Sequence, residues 1–335
     1  MSRKEKPARQ SNGGRSKKEK KGDVADFAFF FMGMKFFKKL LFPRRRSCLL
    51  PLLLVSFIIG SLCYFVPDFG HNLRYWLYAG GDWLLELTGF AAKYDNLELG
   101  APGGKKVDCV FERKGYAFGY SEIHEQPLWV IYKLTADELN GKRVGRTDDF
   151  RADPRVRTRS ADPEDYKGTG YDRGHLAPAA DMGWDEDVMS ESFYMSNMSP
   201  QKPECNRGIW VDLESQVRDF ARREKEVFIV TGPVFYSGKP VKSIGVNNRV
   251  SVPHAYYKVV YDLTPPCKMI GFIIPNSGSN KKLQNFAVTV EKVEKETGLI
   301  FFPGLETNQA ALKRTISVSD WTFFRIIMQV GIDVL

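Results

Sequence analysis

Between Cys48 and Val66 the chain runs for 19 residues without a charged side chain, dominated by Leu, Ile, Phe and Val. The hydrocarbon core of a bilayer takes about 20 such residues as a helix, whereas shorter apolar runs suit the core of a globular domain. Pro51 stands near the start of the run, where its missing N–H costs least. The run therefore predicts one membrane helix over 47–66. Arg44, Arg45 and Arg46 precede it. Basic residues flanking a membrane helix stay on the cytoplasmic side. Residues 1–46 are thus expected in the cytoplasm and everything past the helix across the membrane, in a periplasmic or extracellular space. A cleavable signal peptide is the rival reading, but its basic region would be unusually long here. A mitochondrial targeting segment ahead of an inner-membrane anchor is another, although Glu5, Glu19, Asp23 and Asp26 sit poorly with the acid-poor composition of such segments.

The net charge of +9 suggests a polyanion-binding protein until its distribution is considered. Residues 1–99 hold 17 Lys and Arg against 9 Asp and Glu, and the rest of the chain holds 32 against 31. The basicity belongs to the N-terminal arm and says nothing about a substrate. Residues 1–26 are lysine-rich and poor in large apolar side chains, the composition of a disordered tail. Residues 27–42 suit a membrane interface or a helix leading into the span. Residues 71–92 carry apolar side chains at helical spacing, broken at Gly80-Gly81, which predicts a juxtamembrane helical segment. The turn-rich stretch 101–106 predicts a linker, with the boundary of the main domain at residue 105. Cys48, Cys63, Cys109, Cys205 and Cys267 form neither a CxxC pair nor a zinc spacing, and do not settle the redox compartment.

Beyond residue 105 the apolar residues fall into short runs. Val107–Phe111, Tyr116–Tyr120, Leu128–Leu134, Glu226–Val230, Tyr256–Asp262, Met269–Ile274 and Leu299–Phe302 predict strands. Ile209–Arg223 and Asn285–Thr297 predict helices. Strands and helices do not alternate regularly, so the expected class is α+β with a mixed or mostly antiparallel sheet.

The chemistry gathers in YDRGHLAPAADMGWDEDVMSESFYMSNMSPQKPECNRGIWVDLE, residues 171–214. His175 lies in a polar stretch read as a turn, beside Asp172 and Arg173. Asn197 and Asn206 follow, and then Glu214 on the predicted helix. A neutral imidazole takes protons near neutral pH. Amide and carboxylate oxygens suit a hard, hydrated ion such as Mg2+. Arginines hold phosphate through paired N–H bonds. These are the parts of metal-assisted phosphodiester hydrolysis. Glu214, eight residues past Asn206, is about 12 Å along a straight helix, too far to share one ion with it directly.

DRGH at 172–175, SNMSPQ at 196–201, NRGIW at 206–210 and LE at 213–214 resemble the sugar-non-specific DNA/RNA endonucleases. PLWVIYKL at 127–134, RTDDFRADP at 146–154, FIVTGPVF at 228–235, GFIIPN at 271–276 and ETGLIFFPGL at 296–305 extend the resemblance in the same order. It implies a ββα-metal nuclease fold and hydrolysis of DNA and RNA to 5′-phosphate ends. His175 would be the general base and Asn206 the protein ligand of Mg2+, with Mn2+ or another divalent ion as a substitute. Glu214 would hold a metal-bound water, Arg146 would stabilise charge on the phosphate, and Asn197 would be an active-site amide. Arg173 would contact substrate phosphate; Arg143 is close enough in sequence to compete with Arg146 for its role. Asp172 is expected to brace its turn. The expected partners are DNA, RNA, the lipid bilayer and a second copy in a homodimer. The alternatives are an inactive, membrane-anchored nucleic-acid-binding homologue and a zinc peptidase; the second lacks an HExxH and closely spaced histidines.

Overall fold

The computed structural model describes residues 94–305 and 307–323. The apolar run 48–66, the segments 27–42 and 71–92, and residues 324–335, the end of a last apolar stretch that starts at Trp321, lie outside the described residues. Among those that are described, no helix is long and apolar enough to cross a membrane.

Three strands open the fold: β1 (Cys109–Glu112), β2 (Ala117–Ser121) and β3 (Gln126–Thr135). A short helix α1 (Ala136–Asn140) follows, capped at Thr135 by reciprocal bonds with Glu138. Next come β4 (Asp172–His175), α2 (Glu186–Glu191), β5 (Met198–Gln201), α3 (Val211–Glu224) and β6 (Glu226–Val234). The chain closes with β7 (Ser243–Ile244), β8 (Val250–Ser251), β9 (Ala255–Asp262), β10 (Lys268–Pro275), β11 (Ala287–Val288) and α4 (Val290–Thr297). The main sheet has seven strands in the order β1-β2-β3-β6-β9-β10-β11, antiparallel throughout. This is the expected α+β class.

The sheet is buried on both faces, so its strands read as continuous apolar runs. Side chains alternate between two cores, as the pleat requires. Tyr132, Tyr256, Val260 and Phe272 face α3, which buries Leu213, Val217 and Phe220 against them. Trp129, Ile131, Phe228, Tyr257 and Val259 face α4, which contributes Val290 and Val293. Trp321 packs on Phe220 with ring centroids 4.7 Å apart, which gives the start of the last apolar stretch a place in the core.

Three expectations change. The packed domain reaches back past the boundary expected at 105, because Leu97, Leu99 and Ala101 lie against the α4-side core and Asn96 donates to the Arg113 carbonyl. The helix expected from Asn285 begins only at Val290, capped by the Thr289 hydroxyl; a 3-10 turn and β11 occupy the residues before it. The strand expected at Leu299–Phe302 is reduced to a single bridge between Gly103 and Ile300.

The DRGH stretch is also a strand rather than a turn. β4 pairs antiparallel with β5, Gly174 opposite Ser199 and His175 opposite Met198. With α3 they make a ββα unit. Gly174 is required there by contact. A Cβ at this position would stand 2.2 Å from the Gln201 Oε1, and Gln201 is fully buried with no room to swing aside. Gly174→Ala should therefore cost about 1–3 kcal/mol as overpacking. Adding Gln201→Ala should recover much of it. Urea unfolding of the single and double variants checks this, and an undiminished midpoint for Gly174→Ala would contradict the packing described.

Candidate active site

β5 is tied to the main sheet by a buried polar chain. The Ser199 hydroxyl donates to Gln126 Oε1 at 2.6 Å and lies 2.8 Å from the Tyr256 hydroxyl. Tyr256 and Asn276 both donate to the Pro200 carbonyl, and Asn276 Oδ1 accepts from the Lys202 N–H. β4 is thereby fixed through its pairing with β5.

His175 ends β4, and Asn197 sets the course of the chain past it. The Asn197 Oδ1 accepts from the Ala177 N–H at 2.9 Å, while its Nδ2 donates to the carbonyls of Ala177 and Ser192. Its backbone carbonyl accepts from the Leu176 N–H. The side chain is fully buried. The structure thus places Asn197, expected as an active-site amide, behind the backbone that follows His175.

The imidazole of His175 lies edge-on to Phe193, with centroids 4.9 Å apart, and 5.6 Å from Phe150. The two phenylalanines pack edge to face at 4.9 Å and form an apolar corner. Two arginines are laid on that corner. The Arg173 guanidinium is 4.0 Å from the Phe150 centroid and that of Arg146 is 4.8 Å from the Phe193 centroid. Arg146 also donates to Asp148 at 2.7 Å, with both side chains more than half exposed. Burial pushes the His175 imidazole down to about 3, and the charges of Arg146 and Arg173 push the same way. Its Nε2 is buried, with no hydrogen-bond partner among the described residues.

Asn206 sits in a wide turn, Cys205–Trp210, that leads into α3 and is kinked at Gly208. Its Nδ2 donates to Asp172 Oδ2 at 3.0 Å, and Arg207 grips the same carboxylate through Nε and Nη2. Burial works against the charged form of Asp172, but these hydrogen bonds hold its carboxyl below the usual range. Asp172 thus braces its neighbours, as expected. Because the amide nitrogen is committed to Asp172, the carboxamide oxygen is the end of Asn206 left to face a cation. Among the described residues no three His, Cys, Asp or Glu converge on a point. A single neutral oxygen ligand suits a hard ion that keeps most of its waters, so the donor set fits Mg2+.

Glu214 and Arg143 are engaged by other partners. Glu214, on α3, belongs with the buried Lys258 of β9 and with Asp181 and Arg218. Burial pushes the Glu214 carboxyl above the usual range, against the pull of the Lys258 ammonium. Arg218 does not pair with Glu214 on the surface; it donates to Asp181 at 3.0 Å, which also accepts from the Tyr132 hydroxyl at 2.8 Å. Arg143 spends its guanidinium on the backbone carbonyls of Glu138 and Ala180. Arg146, rather than Arg143, is the arginine laid on the apolar corner beside His175. Phe150, Phe193, Arg207 and Lys258 escaped the sequence reading. Phe150 lies inside RTDDFRADP, Phe193 inside the stretch 171–214 and Arg207 inside NRGIW, but no local signal distinguishes them from their neighbours.

Residues 95–308 match the family described as DNA/RNA non-specific endonuclease. Human mitochondrial endonuclease G is 32% identical over 237 residues, covering 67% of this chain and 77% of its own. Mitochondrial nuclease EXOG of Danio rerio is 34% identical over 224 residues, covering 63% and 65%. Nuclease C1 of Cunninghamella echinulata var. echinulata is 35% identical over 226 residues, covering 63% and 89%. Among solved structures, a chain in the crystal structure of the EndoG/EndoGI complex, a study of EndoG inhibition, superposes with a TM-score of 0.59 at 31% identity. That match covers 64% of this chain and 93% of the other.

Proposed function

The chain belongs to the DNA/RNA non-specific endonuclease family, and from that premise we propose that it hydrolyses phosphodiester bonds of DNA and RNA with His175 as general base. One observation carries the reading: a neutral imidazole stands in an apolar corner with two arginines laid beside it. Such a place holds a proton acceptor next to a seat for a phosphate. His175 takes a proton from the water that attacks phosphorus in line; the bond from phosphorus to the 3′ oxygen opposite breaks, and the departing oxygen takes up a proton from solvent. Arg146 and Arg173 hold the phosphate oxygens and meet the charge that grows on them. An anionic phosphate between the arginines also cancels the field that depresses the imidazole, raising its basicity when substrate is bound. Asn206 would hold Mg2+ through its carboxamide oxygen, oriented by Asp172, and Glu214 is assigned to the ion's hydration. Bound there, Mg2+ supplies Lewis-acid neutralisation of the phosphate charge. Contacts to phosphate alone give weak sequence preference and strong salt sensitivity.

Incubation of the full chain with plasmid and with RNA, in Mg2+ and in EDTA, tests this. Both substrates should be cut in Mg2+ and spared in EDTA. His175→Ala should cut 10²–10⁴-fold more slowly, roughly what a general base contributes, with an unchanged melting temperature. Intact plasmid beside folded protein in Mg2+ would overturn the activity; near-normal turnover by His175→Ala would overturn the role of His175.

The charge-free run 48–66 and the arginines before it support a second part of the proposal. The nuclease is anchored by one membrane helix, with its active site on the far side from the basic tail. The mitochondrial relatives make an inner-membrane anchor one form of this arrangement. Protease added to cells or organelles stripped of their outer barrier should digest the nuclease domain and spare the tail. Digestion of the tail with protection of the domain would reverse the orientation.

A further inference from the structure

Beside β4, on the Asp172 side, the surface opens into a recess of about 350 Å³ walled by Pro163, Tyr166, Lys167, Tyr171, Asp172 and Arg173. A built turn forms it. Gly168 and Gly170 both take positive φ, +71° and +80°, and curl the chain from Tyr166 back to Tyr171. The Thr169 hydroxyl donates to the Tyr166 carbonyl at 2.7 Å and accepts from the Tyr171 N–H at 3.3 Å, which locks the curl. Tyr166 is 4% exposed, and its buried hydroxyl has no hydrogen-bond partner among the described residues. The nuclease reading has a use for Arg173 and Asp172 but none for the tyrosines or Lys167.

The recess shares Arg173 with the phosphate seat and Asp172 with Asn206, so it continues the proposed site. Its volume is at the low end for small-molecule sites, enough for one nucleoside and too small for a duplex. Charge decides what goes where. Glu164 and Asp172 stand among the lining and oppose a phosphate inside the recess. Arg173, which also lies on the phosphate seat, favours one beside it. An uncharged base and sugar in the recess, with the adjoining phosphate at Arg173, satisfies both.

We propose that this recess takes the base of the nucleotide next to the scissile phosphate, stacked on Tyr171, so that the enzyme cuts locally unpaired strands in preference to intact duplex. The proposal rests on the nuclease reading. Aromatic stacking accepts any base, so the seat adds affinity without adding sequence preference. A paired base must first leave its stack, at a cost that a single strand avoids.

Single-stranded oligonucleotides carrying one abasic residue at a known position test it with the full-length protein. The wild type should cut the phosphodiester adjoining the abasic residue on one side about tenfold more slowly than the same bond in the intact strand. More distant bonds serve as internal controls. With Tyr171→Ala that dip should vanish, because the base no longer has a partner, while Tyr171→Trp should keep it. A wild-type pattern with no dip, or a dip that survives Tyr171→Ala, overturns the base seat. A wild type that cuts no bond at all overturns the nuclease reading, and the base seat with it.

Discussion

The arrangement depends on one buried amide. Asn197 closes two hydrogen bonds with the Ala177 backbone, takes a third to Ser192, and through its own carbonyl holds Leu176. Every one of these bonds is away from water, where an unmade bond costs about 1–3 kcal/mol. The chain leaving β4 therefore has one course, and the imidazole at the end of that strand has one wall to lie against. The polar chain through Ser199, Tyr256 and Asn276 does the same for β5. His175 is thus held in place by buried groups that lie behind it in the fold.

Much of this was legible in the residues. Six of the seven strands of the main sheet stand out as apolar runs and announce an α+β domain, because a doubly covered sheet leaves no alternation to confuse the pattern. DRGH, NRGIW and the arginine of RTDDFRADP carried His175, Asn206 and Arg146. What stayed hidden is what tertiary packing decides. Asp, Arg and Gly favour turns, so β4 looked like one; its pairing with β5, where Met198 stands opposite His175 from 23 residues on, is invisible in local propensity. Asn197 reads equally as a ligand or a brace until its partners are seen. Arg143 and Arg146 are three residues apart, and only the backbone carbonyls of Glu138 and Ala180 separate their uses.

The electrostatics divide the site into two environments. On one side, Phe150 and Phe193 keep His175 in an apolar corner beside Arg146 and Arg173, which disfavour a third positive charge. On the other, Asp172 collects Asn206 and Arg207, while the half-buried Glu214 and Arg218 of α3 share a charge cluster with the buried Asp181 and Lys258. A proton acceptor is thus kept neutral where positive charge gathers, and an amide oxygen is aimed by a carboxylate. Phosphodiester hydrolysis needs both conditions within one site.

Burial and the two arginines beside it hold the His175 imidazole neutral. NMR titration of the labelled histidine rings, with His175→Ala to assign the signal, measures this directly. The ring of His175 should remain neutral from pH 8 down to pH 5, with protonation near 3, far below the ordinary value of about 6.5. A midpoint near 6.5 in the folded protein would contradict the account, since the imidazole would then sense neither the burial nor the two arginines.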